Sequence, residues 1–126
     1  MLTLDDLKGK NICVTGEFQS ISRARMNWVI YTYIGKHPVN HCNEKTDFIL
    51  VADEAIEYCK ETGKASTKLA AAIDLKRKGH HIRFISEQTY YDLFGYAGCL
   101  KQFGLKVDMN GAKMHDTGKV TFRYEH

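Results

Sequence analysis

The sequence holds one proline, Pro38, and one tryptophan, Trp28, in 126 residues. With 44% hydrophobic and 26% charged residues around them, so little proline excludes a proline-rich or low-complexity disordered chain. Long apolar runs are missing: none approaches the roughly 18 to 20 residues that span a bilayer, so no membrane partner is expected. The opening stretch Met1 to Lys10 alternates charges where a secretory signal builds an apolar core, so a cytoplasmic location is expected. Cysteine is sparse: Cys13, Cys42, Cys59 and Cys99 include no CxxC pair, which argues against a zinc ribbon or a redox dithiol and for free thiols. Neither sign of charge dominates. Eighteen Lys plus Arg against fifteen Asp plus Glu give +3, and the isoelectric point near 8.6 permits a nucleic-acid partner without requiring one. The length is that of one domain, too short for a multi-domain enzyme.

What is present is an alternation of periods. Asn11-Ile12-Cys13-Val14-Thr15 is short, apolar and stops at Gly16, which predicts a buried strand. From Ser22, a candidate N-cap, Met26, Val29, Ile30 and Tyr33 follow helical spacing until Gly35. Val39 to Cys42, after Pro38, predicts a second short strand, and Asp47 to Ala52 a central strand covered on both faces. Asp53 to Lys64 is polar and reads as a loop. A second helix opens at Ser66 or Thr67 and closes on Lys76-Arg77-Lys78-Gly79; a strand follows over Ile82 to Ile85, then a third helix from Ser86-Glu87. The order βαββαβα predicts a small three-layer α/β domain ending near Gly95, because strands separated by helices usually lie parallel with helices on both faces. In the C-terminal extension, 96 to 126, Asn110-Gly111 between Val107-Asp108-Met109 and Ala112-Lys113-Met114 signals a hairpin turn and Val120 to Tyr124 alternates like a strand, which points to an added hairpin or edge strand; an unstructured tail is the alternative.

The end of the first strand is where chemistry is concentrated. Thr15-Gly16 before a helix places a hydroxyl and an unencumbered backbone N–H beside a helix N-terminus, an anion-binding geometry. Arg23 and Arg25 in that helix's first turn oppose its dipole unless an anion compensates, and Thr67-Lys68 opens the second helix in the same way. In a parallel α/β sheet such ends lie on one side, so Thr15, Gly16, Arg23 and Lys68 are expected to converge on one phosphate. As the alternative, the same residues are an ordinary strand end with solvated cations. Neither GxGxxG nor GxxxxGK[ST] is present, which disfavours a dinucleotide or NTP enzyme. His37, His41, Cys42 and Cys59 have no recognised ligand spacing, so no metal or other cofactor is expected. Cys13 falls inside a buried strand, which argues against a catalytic thiol. Tyr90, Tyr91, Phe94 and Tyr96 fit helix packing better than base stacking.

Leu7-Lys8-Gly9-Lys10, Val14-Thr15-Gly16, Ser22-Arg23, Gly35-Lys36, Lys45 to Val51, Thr67-Lys68-Leu69-Ala70-Ala71-Ala72 and Ile85-Ser86-Glu87 occur in the order seen in BRCT domains. Over about residues 4 to 95 the chain resembles that family, and is most similar to the variety carried by NAD-dependent bacterial DNA ligases, the large subunit of replication factor C and some polymerase III epsilon-type exonucleases. The resemblance implies a four-stranded parallel sheet and a phosphate pocket. The pocket's Ser/Thr-Gly pair falls on Thr15 and Gly16, its Thr/Ser-Lys pair on Thr67 and Lys68, and the first-helix arginine of DNA-end-binding members on Arg23. The chain departs from the pattern in having Ile34-Gly35 for the usual glycine pair, no tryptophan in the third helix, and the acids Asp53, Glu54, Glu57 and Glu61 in the segment after the central strand.

The expected function is therefore a non-catalytic module that binds DNA at a 5′-phosphorylated end or nick in replication or repair, nucleoid-associated if so. Gly16 N–H and the Thr15 hydroxyl would donate to phosphate oxygens, Lys68 would supply a point charge and Arg23 a bidentate fork, while Thr67 orients its helix terminus. Arg25, Lys36, Arg77 and Lys78 are expected as weaker flanking contacts. The alternative is a protein-interaction adaptor that docks a phosphorylated protein or an apolar partner surface. A homodimer through the edge at Val120 to Tyr124 is a third reading.

Overall fold

The computed structural model describes residues 1–95, 107–114 and 120–124. Helix α1 (Leu4–Leu7) leads into strand β1 (Ile12–Thr15), helix α2 (Arg23–Ile34), strand β2 (Phe48–Val51), helices α3 (Asp53–Thr62) and α4 (Thr67–Arg77), strand β3 (Arg83–Ser86) and helix α5 (Glu87–Phe94). The three strands form a parallel sheet in the order β1-β2-β3, with Val14 opposite Leu50 and Leu50 opposite Ile85. The strands' period of two sorts the core into two layers. Ile12, Val14, Phe48, Leu50 and Ile85 pack with Met26, Val29, Ile30, Tyr90 and Phe94 of α2 and α5. Cys13, Ile49 and Val51 pack on the other face with Ala55, Leu69 and Ala72 of α3 and α4. The chain is thus α/β with helices on both faces of an open parallel sheet.

Helix starts follow the predicted chemistry. The hydroxyls of Ser22, Ser66 and Ser86 accept from the backbone N–H groups of Arg25, Leu69 and Thr89, capping α2, α4 and α5. Gly35 closes α2 in the left-handed region, at φ 87°. Tyr90, Tyr91 and Phe94 are buried, in agreement with a packing role for that cluster; Tyr96 lies outside the described residues.

Three expectations need correction, and one element, α1, had no expectation attached. The segment from Val39 to Cys42 is no strand: only Val39 pairs, through one parallel bridge to Cys13, and its N–H donates to Ile12 O at 2.8 Å. Pro38 has no N–H for a ladder, and downstream Asn43 and Thr46 exchange side-chain and backbone hydrogen bonds that turn the chain instead. The sheet of the described residues therefore has three parallel strands in place of four. The polar segment from Asp53 is a helix, α3. Its first-turn acids suit the positive helix end, Asp53 N–H finds the Glu87 carboxylate at 3.0 Å, and Gly63 supplies the left-handed C-cap. The lead residues also form a short helix, α1, where Asp6 accepts from Thr3 N–H at 2.8 Å in a capping box. Finally, Asn110-Gly111 is not a hairpin turn: the flanks expected to pair across it, Val107 to Met109 and Ala112 to Met114, belong to one strand, β4 (Val107–Met114), which pairs antiparallel with β5 (Val120–Tyr124). Asn110 and Gly111 fall inside β4, where the register with β5 shifts between Asp108 and Lys113.

Candidate functional site

Strand β1 delivers the chain to Gly16 on the edge of the space between α2 and α3. Its φ is +86°, and a Cβ there would lie 2.8 Å from both the Ala52 and the Ala55 Cβ atoms. Both the backbone conformation and the close approach require glycine. From this point the chain runs through residues 17 to 21 to the Ser22 cap, and Arg23, the first residue of α2, folds back over the end of β1. Its Nη2 donates to Gly16 O at 2.6 Å and its Nη1 to Val14 O at 3.3 Å. From the opposite layer Lys68, in the first turn of α4, donates Nζ to the same Val14 oxygen at 3.1 Å.

Two cations from two helices thus share one carbonyl oxygen. Two like charges roughly 6 Å apart repel by about 0.7 kcal/mol in water and about 3 kcal/mol at an effective dielectric near 20. Among the described residues the ion pairs are Lys8–Asp5 and Lys78–Asp74, so no carboxylate neutralises Arg23 or Lys68. Both sit at helix N-termini, where the dipole adds positive potential. An anion placed against them gains from each of these terms.

Thr15, Gly16, Arg23 and Lys68 are therefore brought together. The Thr15 hydroxyl is buried and shares a 2.6 Å hydrogen bond with Ser66 Oγ, which also caps α4. Ser66 thereby ties β1 to the helix that carries Lys68, the orienting role expected of Thr67; Thr67 itself is exposed in the first turn of α4. The weaker candidates do not join the group. Arg25 lies with its guanidinium carbon 4.8 Å from the centre of the Trp28 ring. Lys36 reaches Asn11 Oδ1, ahead of β1, at 3.3 Å. Arg77 ends α4 and Lys78 pairs with Asp74 at 2.9 Å, at the end of the sheet where strands begin.

Beside the cations lies a cleft of about 270 Å³ lined by Gly16, Glu17, Phe18, Ile21, Ser22, Arg23 and Met26. Its outer wall, residues 17 to 21, is held by a side chain that sequence reasoning passed over. Glu87 is 2% exposed, and its carboxylate accepts from Gln19 N–H at 3.2 Å, Asp53 N–H at 3.0 Å and the Tyr91 hydroxyl at 2.8 Å. The Tyr91 oxygen in turn accepts from Ser20 N–H at 3.0 Å. Burial pushes the Tyr91 phenol above its ordinary value, keeping it the neutral donor this network needs. The available signal was a glutamate and a tyrosine four residues apart at a helix start, which share one helix face.

Glu54 brings a second carboxylate to the opposite rim. Its Oε2 accepts from Glu17 N–H at 2.9 Å and lies 3.2 Å from where a Gly16 Cβ would be. Burial pushes the Cys13 thiol up, leaving it protonated and inert, as expected of a thiol inside a strand. No family model, curated protein or solved structure matches the chain.

Proposed function

We propose that the chain is a non-catalytic phosphate-recognising module of the BRCT type that binds DNA at a 5′-phosphorylated end or nick, in replication or repair. The observation that carries this reading is the meeting of Arg23 and Lys68 on the Val14 carbonyl, with no carboxylate partner for either cation among the described residues. A phosphate dianion offers two acceptor oxygens to the planar guanidinium of Arg23 and a counter-charge to Lys68, and it relieves their mutual repulsion. The arrangement supports binding without bond making, since the site groups are cations, a glycine and a hydroxyl already engaged with Ser66.

A second reading has one observation in its favour. Phe18, Ile21 and Met26 line the cleft next to Arg23, a surface that also suits a phosphopeptide carrying an apolar side chain beside its phosphate. The two are separated by fluorescence anisotropy of the full chain against one short duplex with and without a 5′-phosphate. Phosphate-dependent binding that weakens with salt and is lost in Arg23→Ala supports the DNA reading. Equal affinity for both duplexes overturns it, and absence of binding to either moves the weight to the adaptor.

A further inference from the structure

The end of the sheet opposite the phosphate site, about 13 Å away along four-residue strands, carries a second group of exposed cations organised around Asn11. Lys36 Nζ donates to Asn11 Oδ1 at 3.3 Å, and Asn11 Nδ2 donates to the carbonyl of Lys45 at 2.9 Å. Gly9 N–H donates to Ile34 O at 2.8 Å, which brings Lys10 beside the end of α2. Lys10, Lys36 and Lys45 are exposed, and among the described residues none of them has a carboxylate within ion-pair distance. The acids of this end are engaged or peripheral: Asp47 accepts from Asn11 N–H at 2.8 Å, Asp6 caps α1, and Glu44 is exposed beside Lys45.

A second observation is aromatic. The rings of Tyr31, on α2, and His37, just past Lys36, stack with centroids 4.2 Å apart and planes 11° from parallel. Both are exposed, Tyr31 at 47%, so the stack contributes little to the core. One exposed ring needs no explanation. A flat two-ring stack whose His37 directly follows Lys36, one of three exposed lysines gathered near Asn11, has the make-up of a single-strand platform, in which rings take base faces and lysines take phosphodiesters.

We propose that this end of the sheet is a second nucleic-acid surface, which binds unpaired polynucleotide by stacking a base on the Tyr31–His37 pair and placing backbone phosphates on Lys10, Lys36 and Lys45. The unpaired form follows from the rings, because a base inside a duplex offers no free face. An acidic peptide would use the lysines and leave the stack idle. The inference does not rest on the terminal-phosphate reading, since it concerns internal phosphodiesters and other residues.

The test is an anisotropy titration of the full chain against a short oligothymidylate with a 5′-hydroxyl, at two salt concentrations. Binding is expected, with Tyr31→Ala weakening it by about 5- to 150-fold and Tyr31→Phe keeping it. Removing both Lys36 and Lys45 as alanines should lower the log–log salt slope by about 1.4, at roughly 0.7 per lost contact. Arg23→Ala combined with Lys68→Ala should bind this oligonucleotide as the parent does, so failure of the other site is read separately. No binding, loss through Arg23 and Lys68 with Tyr31→Ala neutral, or equal binding of polyglutamate would each overturn the proposal.

Discussion

Replacing Lys68 by methionine distinguishes a ligand site from a structural clip. Lys68 Nζ gives Val14 O a charged hydrogen bond at 3.1 Å, and such bonds are worth about 1.5 to 3 kcal/mol net. The same ammonium repels Arg23 by about 0.7 to 3 kcal/mol across the shared oxygen. Methionine keeps most of the stem, removes both contributions, and leaves Val14 O with its 3.3 Å bond from Arg23. The opposing changes nearly cancel, so Lys68→Met should alter unfolding free energy by less than about 1 kcal/mol. Affinity for a 5′-phosphorylated duplex should instead fall about 10- to 100-fold, the loss of one charge-assisted contact. Urea unfolding followed by circular dichroism gives the first quantity and anisotropy the second. A loss above about 2 kcal/mol of stability with unchanged affinity would refute the reasoning and make Lys68 a clip for β1.

Gly16→Ala should cost about 2 to 6 kcal/mol, adding a left-handed backbone penalty to overpacking against Ala52 and Ala55; a melting point within a few degrees of the parent would contradict this. Glu54→Gln keeps an acceptor for Glu17 N–H while removing a negative charge beside Gly16, so 5′-phosphate affinity should rise a few-fold, readable by the same titration. Burial raises both Tyr91 and Cys13 in the folded state. Their contribution is complete below the unfolded values of 10.0 and 9.0 and declines as pH rises through the folded ones. Urea midpoints should therefore drop as pH rises above 9 and further above 10, and Tyr91→Phe, weaker by about 1 to 3 kcal/mol at neutral pH, should flatten the upper part of that decline.

The parts of the fold legible in the sequence were those written in short-range signals. Ser22, Ser66 and Ser86 cap helices whose hydrophobic period begins just after them, and Gly35 ends α2. The central strand was legible because Phe48-Ile49-Leu50-Val51 is apolar on both faces, and both faces are covered. Helix α3 was not, because its apolar content is small and part of what completes its N-terminus comes from Glu87, thirty-four residues away. Val120 to Tyr124 was legible as a strand from its alternation, but the Asn110-Gly111 signal misled, because the flanks it was expected to fold onto each other run on as one strand that pairs with Val120–Tyr124 instead. At the site, residue types and strand order were enough to bring Thr15, Gly16, Arg23 and Lys68 together. They could not tell that Thr15 spends its hydroxyl on Ser66, or that both cations settle on one carbonyl, because these depend on side-chain reach across two layers.

If the site takes a 5′-phosphate as proposed, the charges around it decide which way the rest of the strand runs. On one side stands the first turn of α3, with Asp53 and Glu54 exposed and Glu57 and Glu61 one and two turns further along. A phosphate roughly 6 Å from each successive carboxylate would meet about 0.7 kcal/mol of repulsion per pair in water, more where the helix excludes solvent, and salt screens this only beyond about 10 Å. On the other side is the cleft bounded by Phe18, Ile21 and Met26, which holds a single carboxylate residue, Glu17, against Arg23. In the proposed complex, a strand anchored by its terminal phosphate would therefore be steered over α2. Because Glu87 and Tyr91 fix the intervening loop through Gln19 and Ser20, the backbone of that exit is set before the ligand arrives, and only the side chains of Arg23 and Lys68 have to turn toward it.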